Sequence, residues 1–400
     1  MNDKTEIIRK SFGLKDEIRP QLQESYHSSL IEQIKNQNFR LKTGRLTVYL
    51  AQEFGFCYGV DRAIDYAYQT RAKFPHRRIF LTNEIIHNPR VNAKLQEMGI
   101  QFLSGPYASG VSVEDIREED VVIMPAFGTT VKELDALQKR GCVMVDTTCG
   151  SVMSVWKRVE SYAREGFTSI IHGKYDHEET LATCSRASQY PNGKFLVVRD
   201  KKEAQEVCDY IEGRGSRDVF LKQFAKTVSG EFDPDRDLGH VGCANQTTML
   251  SSESLEIANM LEASIEKRYG ASELANRFRH FDTICSATQE RQDAVLKLAR
   301  EGMDLMIVVG GYNSSNTGHL VEISLESCPA YHVKDASCIL SSTRIQHKKA
   351  EKGSAPFSYS EILETENWLP EGNLKIGITA GASTPNRVIE EVIERLMEIA

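Results

Sequence analysis

The chain has 400 residues, 40% of them apolar and 26% charged, with a formal net charge of −7. That length calls for two or three cores of about 100–150 residues each, and that charge excludes a general nucleic-acid binder, which needs a basic stripe to displace counterions. No N-terminal apolar run resembles a signal peptide and no segment approaches the ~20 apolar residues of a membrane span.

Nine cysteines are present, an odd number with no CxxC pair. A reducing, cytoplasmic compartment is expected, with thiols available for metal or catalysis.

Residues 1–44 are polar and read as an N-terminal arm. Its helical stretch runs from about Arg19 to Asn38, where Leu22, Tyr26, Leu30, Ile31 and Ile34 recur at helical spacing. The expected role is a packing arm or frayed tail. A transit peptide is poor in acidic residues, whereas this segment contains Asp3, Glu6, Asp16, Glu17, Glu24 and Glu32.

From residue 45 the chain repeats apolar strand, polar loop and amphipathic helix, the rhythm of a parallel sheet with helical crossovers. The first three loops lie in "LTVYLAQEFGFCYGVDRAIDYAY" with Cys57, "RRIFLTNEIIHNPRVNAKLQEMG" with His87, and "DVVIMPAFGTTVKELDALQKRG" with Thr129 and Thr130. The next three lie in "CVMVDTTCGSVMSVWKRVESYARE" with Cys149, "TSIIHGKYDHEETLATCSRA" with His177 to Glu179, and "HVGCANQTTMLSSESLEIANML" with Gln246 to Thr248. The last three lie in "FDTICSATQERQDAVLKLARE" with Cys285 and Thr288, "DLMIVVGGYNSSNTGHLVEISLE" with Ser314 to Asn316, and "LKIGITAGASTPNRVIEEVIERL" with Ser383 and Thr384. Each block opens on a cysteine loop and closes on a hydroxyl loop. The spacing therefore predicts three copies of one α/β unit, over 45–142, 143–275 and 276–400.

In a parallel sheet the loops after the strands open on one edge. Three such units around a pseudo-threefold axis would bring three thiols to one centre. Thiolates select zinc or iron–sulfur clusters, and a closed zinc site wants four closely placed ligands that are absent here. A cubane cluster takes four cysteines; with three, one iron is left open to bind substrate. A three-thiolate zinc lyase or hydrolase, or a non-catalytic iron–sulfur sensor, would use the same cysteines. A nicotinamide reductase is disfavoured because the chain has no GxGxxG fingerprint. The other six cysteines fall in or beside apolar runs or helix-like stretches and read as structural.

"NSSN" and "AGAST" before helices offer backbone N–H groups and hydroxyls to phosphate oxygens, or simply cap those helices. "HEE" places an imidazole and two carboxylates at a loop end, suited to proton donation or to the acidity of a first helical turn. His87 precedes Asn-Pro, a turn signal.

The ordered set "GFCYGV", "IIHN", "DTTC", "HEE", "QTT", "TICSAT", "NSSN" and "TAGAS", over roughly 45–400, resembles the 4-hydroxy-3-methylbut-2-enyl diphosphate reductase family. The resemblance implies three α/β units around one [4Fe–4S] cluster per chain, with Cys57, Cys149 and Cys285 as its ligands and one open iron. It implies substrate contacts at His87, His177, Gln246, Ser314, Ser315, Asn316 and Ser383. It also implies catalytic roles for Glu179, as proton donor, and for Thr247 and Thr288. The implied reaction is reductive loss of an allylic hydroxyl, the last step of the non-mevalonate isoprenoid pathway. Where many bacterial members have a histidine, this chain has Phe127, so Thr129 or Thr130 is expected to take over a diphosphate contact. Phe127 and the polar arm resemble the plant and cyanobacterial branch, which implies ferredoxin as electron donor and, in a plastid-bearing source, a stromal location. The basic run "RAKFPHRR" is the expected docking patch, or else a solvated helix end.

Overall fold

The computed structural model describes residues 6–350 and 361–399. The fold is α/β with largely parallel sheets, and the chain divides into two compact units. One consists of Met1–Ile8 and Val111–Cys285, the other of Arg9–Gly110 and Ser286–Ala400.

In the first unit, Ile7–Ile8, Val143–Asp146 and Val121–Met124 lie side by side in that order, all parallel. Val121–Met124 is buried at every residue, as a parallel strand covered on both faces must be. A second, wholly parallel sheet runs Phe278–His280, Val241–Asn245, Thr168–His172, Lys194–Val198. Ile170, Leu196, Val241, Leu261 and Phe278 share its core. Helix Gly150–Glu165 crosses this sheet closely enough for the Tyr162 hydroxyl to donate to the Cys243 carbonyl at 3.0 Å. A Cβ on Gly242 would stand 2.7 Å from the Tyr162 ring, so the approach requires glycine.

The second unit holds a seven-stranded sheet in the order Ile362–Glu366, Arg344–Lys348, Ala330–Val333, Leu305–Val309, Leu374–Ala380, Leu46–Leu50, Arg40–Thr43. Its four middle strands are parallel and its edges antiparallel. Ile79–Leu81 and Ile100–Phe102 form a further parallel pair in this unit.

The arm is folded. It contains two helices, Lys15–Tyr26 and Ser29–Asn36, rather than the single helix the periodicity predicts. Ser28 is the cause: it is extended, and its Oγ accepts from Ile31 N–H at 2.9 Å, so it caps a new helix instead of continuing the old one. The apolar spacing still serves its purpose. Ile31 and Ile34 are 0% and 1% exposed, each contributing roughly 1.5–3 kcal/mol of burial. Gln69 Oε1, on helix Tyr58–Lys73, accepts from Ser11 Oγ at 2.9 Å and Leu14 N–H at 3.2 Å, which ties the arm to the helix that starts after Cys57.

The strands pair in a frame shifted from the one the sequence repeat predicts. Leu46–Leu50, placed in the first block by its sequence, pairs parallel with Leu374–Ala380 from the third. Phe278–His280, placed in the third block, pairs parallel with Val241–Cys243 from the second. Val143–Asp146 likewise joins Val121–Met124. In all three cases the strand leading to a cysteine lies beside the strand leading to a hydroxyl loop. The physical reason is burial: parallel strands covered on both faces need neighbours on both sides, and chain order does not dictate which neighbour completes the sheet.

Candidate functional site

The shifted frame gives the three cysteines one local geometry. Cys149 N–H donates to Ala126 O at 2.9 Å, Cys285 N–H to Thr247 O at 3.3 Å, and Cys57 N–H to Ala382 O at 3.2 Å. Each acceptor is the second residue past its neighbouring strand, after Met124, Asn245 and Ala380. One extra ladder bond thus pins each cysteine at the carboxyl edge of a parallel pair. A helix follows at once: Tyr58–Lys73, Gly150–Glu165 and Ser286–Ala299. Cys57 and Cys149 stand at N-cap positions, yet neither thiol caps its helix.

All three ligand candidates are half-buried, whereas Cys142, Cys184, Cys208, Cys243 and Cys338 are buried. Burial pushes the Cys142 thiol up to about 11 and drives those of Cys184, Cys208, Cys243 and Cys328 upward as well. Those five favour the neutral thiol, as expected of structural cysteines.

The first unit gathers the acid–base residues. The loops after His280, Asn245 and His172 are neighbours because their strands are. Glu179 is 1% exposed, and its carboxylate accepts from Thr247 N–H at 2.5 Å and Thr247 Oγ at 3.0 Å. Thr247 in turn carries the carbonyl that accepts from Cys285. His177 caps helix Glu178–Ala187 with its Nδ1, which accepts from Glu179 N–H at 3.1 Å. Since Nδ1 is the acceptor, the hydrogen of the neutral ring sits on Nε2. Phe127 packs edge-on against this ring, with centroids 5.4 Å apart.

Gln246, expected as a substrate contact, also links two loops. Its Oε1 accepts from Lys174 N–H at 3.0 Å and Thr180 Oγ1 at 3.2 Å, and its Nε2 donates to Thr248 Oγ1 at 2.8 Å. The amide buckles the "HEE" loop to the "QTT" loop.

Thr130 is likewise engaged in structure. It forms a capping box with Glu133: Oγ1 donates to Glu133 Oε2 at 2.6 Å and accepts from Glu133 N–H at 3.3 Å. Of the two threonines expected to replace a histidine contact, this one serves helix Val131–Arg140. Thr130→Ala should therefore lower stability by about 1 kcal/mol and leave the substrate KM unchanged, read from thermal melts and steady-state kinetics.

The second unit gathers the candidate anion contacts. The loops after Leu50, Ala380 and Val309 follow adjacent parallel strands. Asn316 Oδ1 accepts from Ala382 N–H at 2.9 Å, linking two of them. Its Nδ2 is buried with no hydrogen-bond partner among the described residues, a donor in search of an acceptor. Ser314 caps helix Ser315–Leu325 by accepting from Thr317 N–H at 3.3 Å, which leaves its own hydroxyl hydrogen to donate elsewhere. Ser315 is 3% exposed in the same first turn. Ser383 Oγ donates to the His87 carbonyl at 3.2 Å. A Cβ on Gly311 would lie 2.4 Å from that carbonyl oxygen, so the close approach of the two loops needs glycine there. Beneath the loop, His332 Nε2–H donates to Gly310 O at 3.1 Å; burial pushes this imidazole down to about 3, so it stays a neutral donor. Thr288 is 1% exposed in the first turn of the helix after Cys285.

Several residues at these loops escape a reading of motifs. Arg291 is 3% exposed and donates to Gly55 O at 2.7 Å and Phe56 O at 3.2 Å, bracing the approach to Cys57. Thr283 Oγ1 accepts from Asn245 N–H at 2.7 Å on the approach to Cys285. Glu84 Oε2 lies 2.9 Å from His87 Nδ1, and Asn92 Nδ2 donates to Glu84 Oε1 at 3.1 Å. The available signal was spacing: Glu84 stands three residues before His87, with only Ile85 and Ile86 between them.

A family model described as LytB protein matches residues 48–397. The chain is 50% identical over 397 residues to the 4-hydroxy-3-methylbut-2-enyl diphosphate reductase of Gloeobacter violaceus, covering 98% of this chain and 92% of that one. It is 49% identical over 393 residues to the protein of the same name from a Nostoc species, covering 98% and 94%. Among solved structures, (E)-4-hydroxy-3-methyl-but-2-enyl diphosphate reductase, the terminal enzyme of the non-mevalonate pathway, matches with a TM-score of 0.50 at 28% identity over 88% of this chain and 99% of that one. The E-1-hydroxy-2-methyl-but-2-enyl-4-diphosphate reductase from Plasmodium falciparum shares the fold, with a TM-score of 0.61 at 22% identity over 87% and 86%. A family model spanning all three cysteine loops, and relatives identical at half of nearly all positions, lead to one conclusion: the chain belongs to the LytB protein family.

Proposed function

We propose that the chain reduces 4-hydroxy-3-methylbut-2-enyl diphosphate to isopentenyl and dimethylallyl diphosphates, consuming two electrons and two protons and releasing water. The observation that carries this reading is the repeated pinning of Cys57, Cys149 and Cys285 by one ladder bond each, directly before the start of a helix. Three such thiolates fit a [4Fe–4S] cluster, which when bound supplies one-electron chemistry and an iron without a protein thiolate.

The chain's own residues handle the anion and the protons. The Ser314 hydroxyl, Asn316 Nδ2 and the backbone N–H groups of the helix start are donors for diphosphate oxygens, and the family resemblance adds His177 as a further contact. Holding the diphosphate fixes the reactive carbon, which lowers the entropic part of the barrier. Glu179 is the proton donor to the departing hydroxyl oxygen, because hydroxide leaves poorly unless protonated. The Thr247 hydroxyl donates to ionised Glu179 and can turn to accept from protonated Glu179, so the pair holds a proton in either state.

The working compartment is one that keeps thiols reduced, the cytoplasm or a plastid stroma. Among the described residues no helix is long and apolar enough to cross a membrane.

Anaerobically purified protein supplied with dithionite should convert the allylic diphosphate to both products. Zinc in place of iron and acid-labile sulfide, with no turnover, would favour the lyase reading instead; a cluster without turnover would favour a sensor.

Ferredoxin is the proposed physiological donor, docking at 71–78. There the Arg71 guanidinium donates to the carbonyls of Phe74 and Arg77, while Arg77 and Arg78 stack over Phe74 and Phe80 at 5.3 and 5.2 Å. Arg71 thus serves the helix end, and Lys73 and Arg77 are the exposed charges. Arg77→Glu with Arg78→Glu should slow ferredoxin-driven turnover several-fold and leave dithionite-driven turnover intact; equal loss in both assays excludes the patch.

A further inference from the structure

Arg291 is 3% exposed on helix Ser286–Ala299, and a guanidinium keeps its charge inside a protein. Its Nε and Nη2 donate to Gly55 O at 3.2 and 2.7 Å, Nη2 donates also to Phe56 O at 3.2 Å, and Nη1 donates to Ala287 O at 2.8 Å. All four bonds end on neutral backbone carbonyls. The acid whose charge it feels, Asp61, is exposed to solvent and interacts with Lys15 as well. Burying a cation on carbonyls alone is costly, and buried charges are as a rule matched by an opposite charge. The bonds lead to Cys57. The peptide between Phe56 and Cys57 is held at both ends, its carbonyl by Arg291 and its N–H by Ala382 O at 3.2 Å. Gly55, one step earlier, donates its N–H to Ala380 O at 3.4 Å and gives its carbonyl to the same guanidinium. Its φ is +74° and a Cβ there would stand 2.8 Å from Asn386 Oδ1, so the loop takes a path that needs glycine.

We propose that Arg291 is a positioning residue for the Cys57 ligand, holding the peptide that enters it and setting a fixed positive charge beside the anionic cluster that Cys57 would help to hold. This rests on the iron–sulfur reading of the cysteines. Lysine keeps the charge but lacks the planar fork that spans two successive carbonyls. Glutamine loses the charge and most of the fork. A nearby cation favours the more negative, reduced form of a cluster, so its removal drives the reduction potential down.

The experiment is anaerobic reconstitution of the full chain with ferrous iron and sulfide, followed by iron release to a chelator and an EPR-monitored redox titration. Arg291→Gln should release iron roughly 10- to 100-fold faster than the parent, as expected when a support to a metal ligand is lost, and should titrate at a more negative potential. Arg291→Lys should also release iron faster yet keep the parental potential. Val295→Ala is the control. On the same helix and 0% exposed, it lowers the melting temperature by leaving a cavity and should alter neither reading. Parental release or a parental potential in Arg291→Gln overturns the proposal and leaves the cluster reading standing, as does a Val295→Ala variant that sheds iron and shifts in potential as Arg291→Gln does. A parent protein that takes up no iron and sulfide overturns both. Should Arg291→Gln fail to fold, Arg291→Lys decides: faster release at the parental potential supports the proposal, and parental release overturns it.

Discussion

With serine in place of Cys149, the protein should lose iron, acid-labile sulfide and turnover together, the rate falling by at least about a hundredfold. Loss of a mere supporting contact to a metal ligand costs 10- to 100-fold in affinity or activity, so removal of the ligand itself costs at least as much. The scaffold should survive. The bond that pins this position is from the Cys149 backbone N–H to Ala126 O, and serine keeps it. Serine is also a better N-cap than cysteine, so helix Gly150–Glu165 should not fray. The same outcome is expected for Cys57→Ser and Cys285→Ser, whose amides are held in the same way. The control is Cys142→Ser. That thiol is 0% exposed, donates to Leu137 O at 3.7 Å, and is pushed up to about 11 by burial. Serine there should leave iron content unchanged and cost roughly 1–2 kcal/mol of stability for a buried hydroxyl. Iron and sulfide assays with thermal melts on the four variants decide the matter. Iron that persists in Cys149→Ser would break the equivalence of the three cysteines and with it the cluster assignment.

Much of this site is legible in the sequence because strand-to-helix loops announce themselves. Short apolar runs such as "VVIM", bounded by turn residues, read as buried strands, and the small or hydroxyl residues after them mark the loops. Cys57, Cys149 and Cys285 stood out by their shared place in that rhythm. Sheet neighbours were not legible. Nothing in "LTVYL" says that its partner lies more than 300 residues away in Leu374–Ala380, since parallel pairing leaves no local turn to read. The arm's periodicity was visible, but the capping strength of Ser28 decides where one helix ends and the next begins. Polar residues posed a third difficulty. Thr130 and Gln246 look like ligand contacts, and the structure adds what the motifs do not show, a helix cap at one and a link between loops at the other. Glu84 looks like an ordinary loop acid, yet it is buried against His87. Which partner a side chain meets depends on packing between elements distant in sequence, and only the folded chain supplies that.

Glu179→Gln should reduce kcat by about 10²–10⁴-fold while KM stays within about 2-fold, the signature of a lost proton donor rather than a lost binding contact. The geometry makes this a clean substitution. Glutamine Oε1 can accept from Thr247 N–H as the carboxylate does at 2.5 Å. Its NH₂ then faces the Thr247 hydroxyl, which can rotate to accept instead of donate. Both hydrogen bonds survive, the side chain stays buried, and Cys285 keeps its bond to Thr247 O, so iron content and melting temperature should match the parent. What disappears is a hydrogen that can leave as a proton. Thr247→Ala tests the other half of the pair. It removes the hydroxyl that reverses with the charge of Glu179 but keeps the backbone N–H, so it should lower kcat less than Glu179→Gln does. In the double variant the Thr247 change should add little, since the two groups act on one proton. If Glu179→Gln turns over at the parental rate with unaltered iron, the proton reaches the hydroxyl from another group, and the Glu179–Thr247 pair becomes a latch between the "HEE" and "QTT" loops.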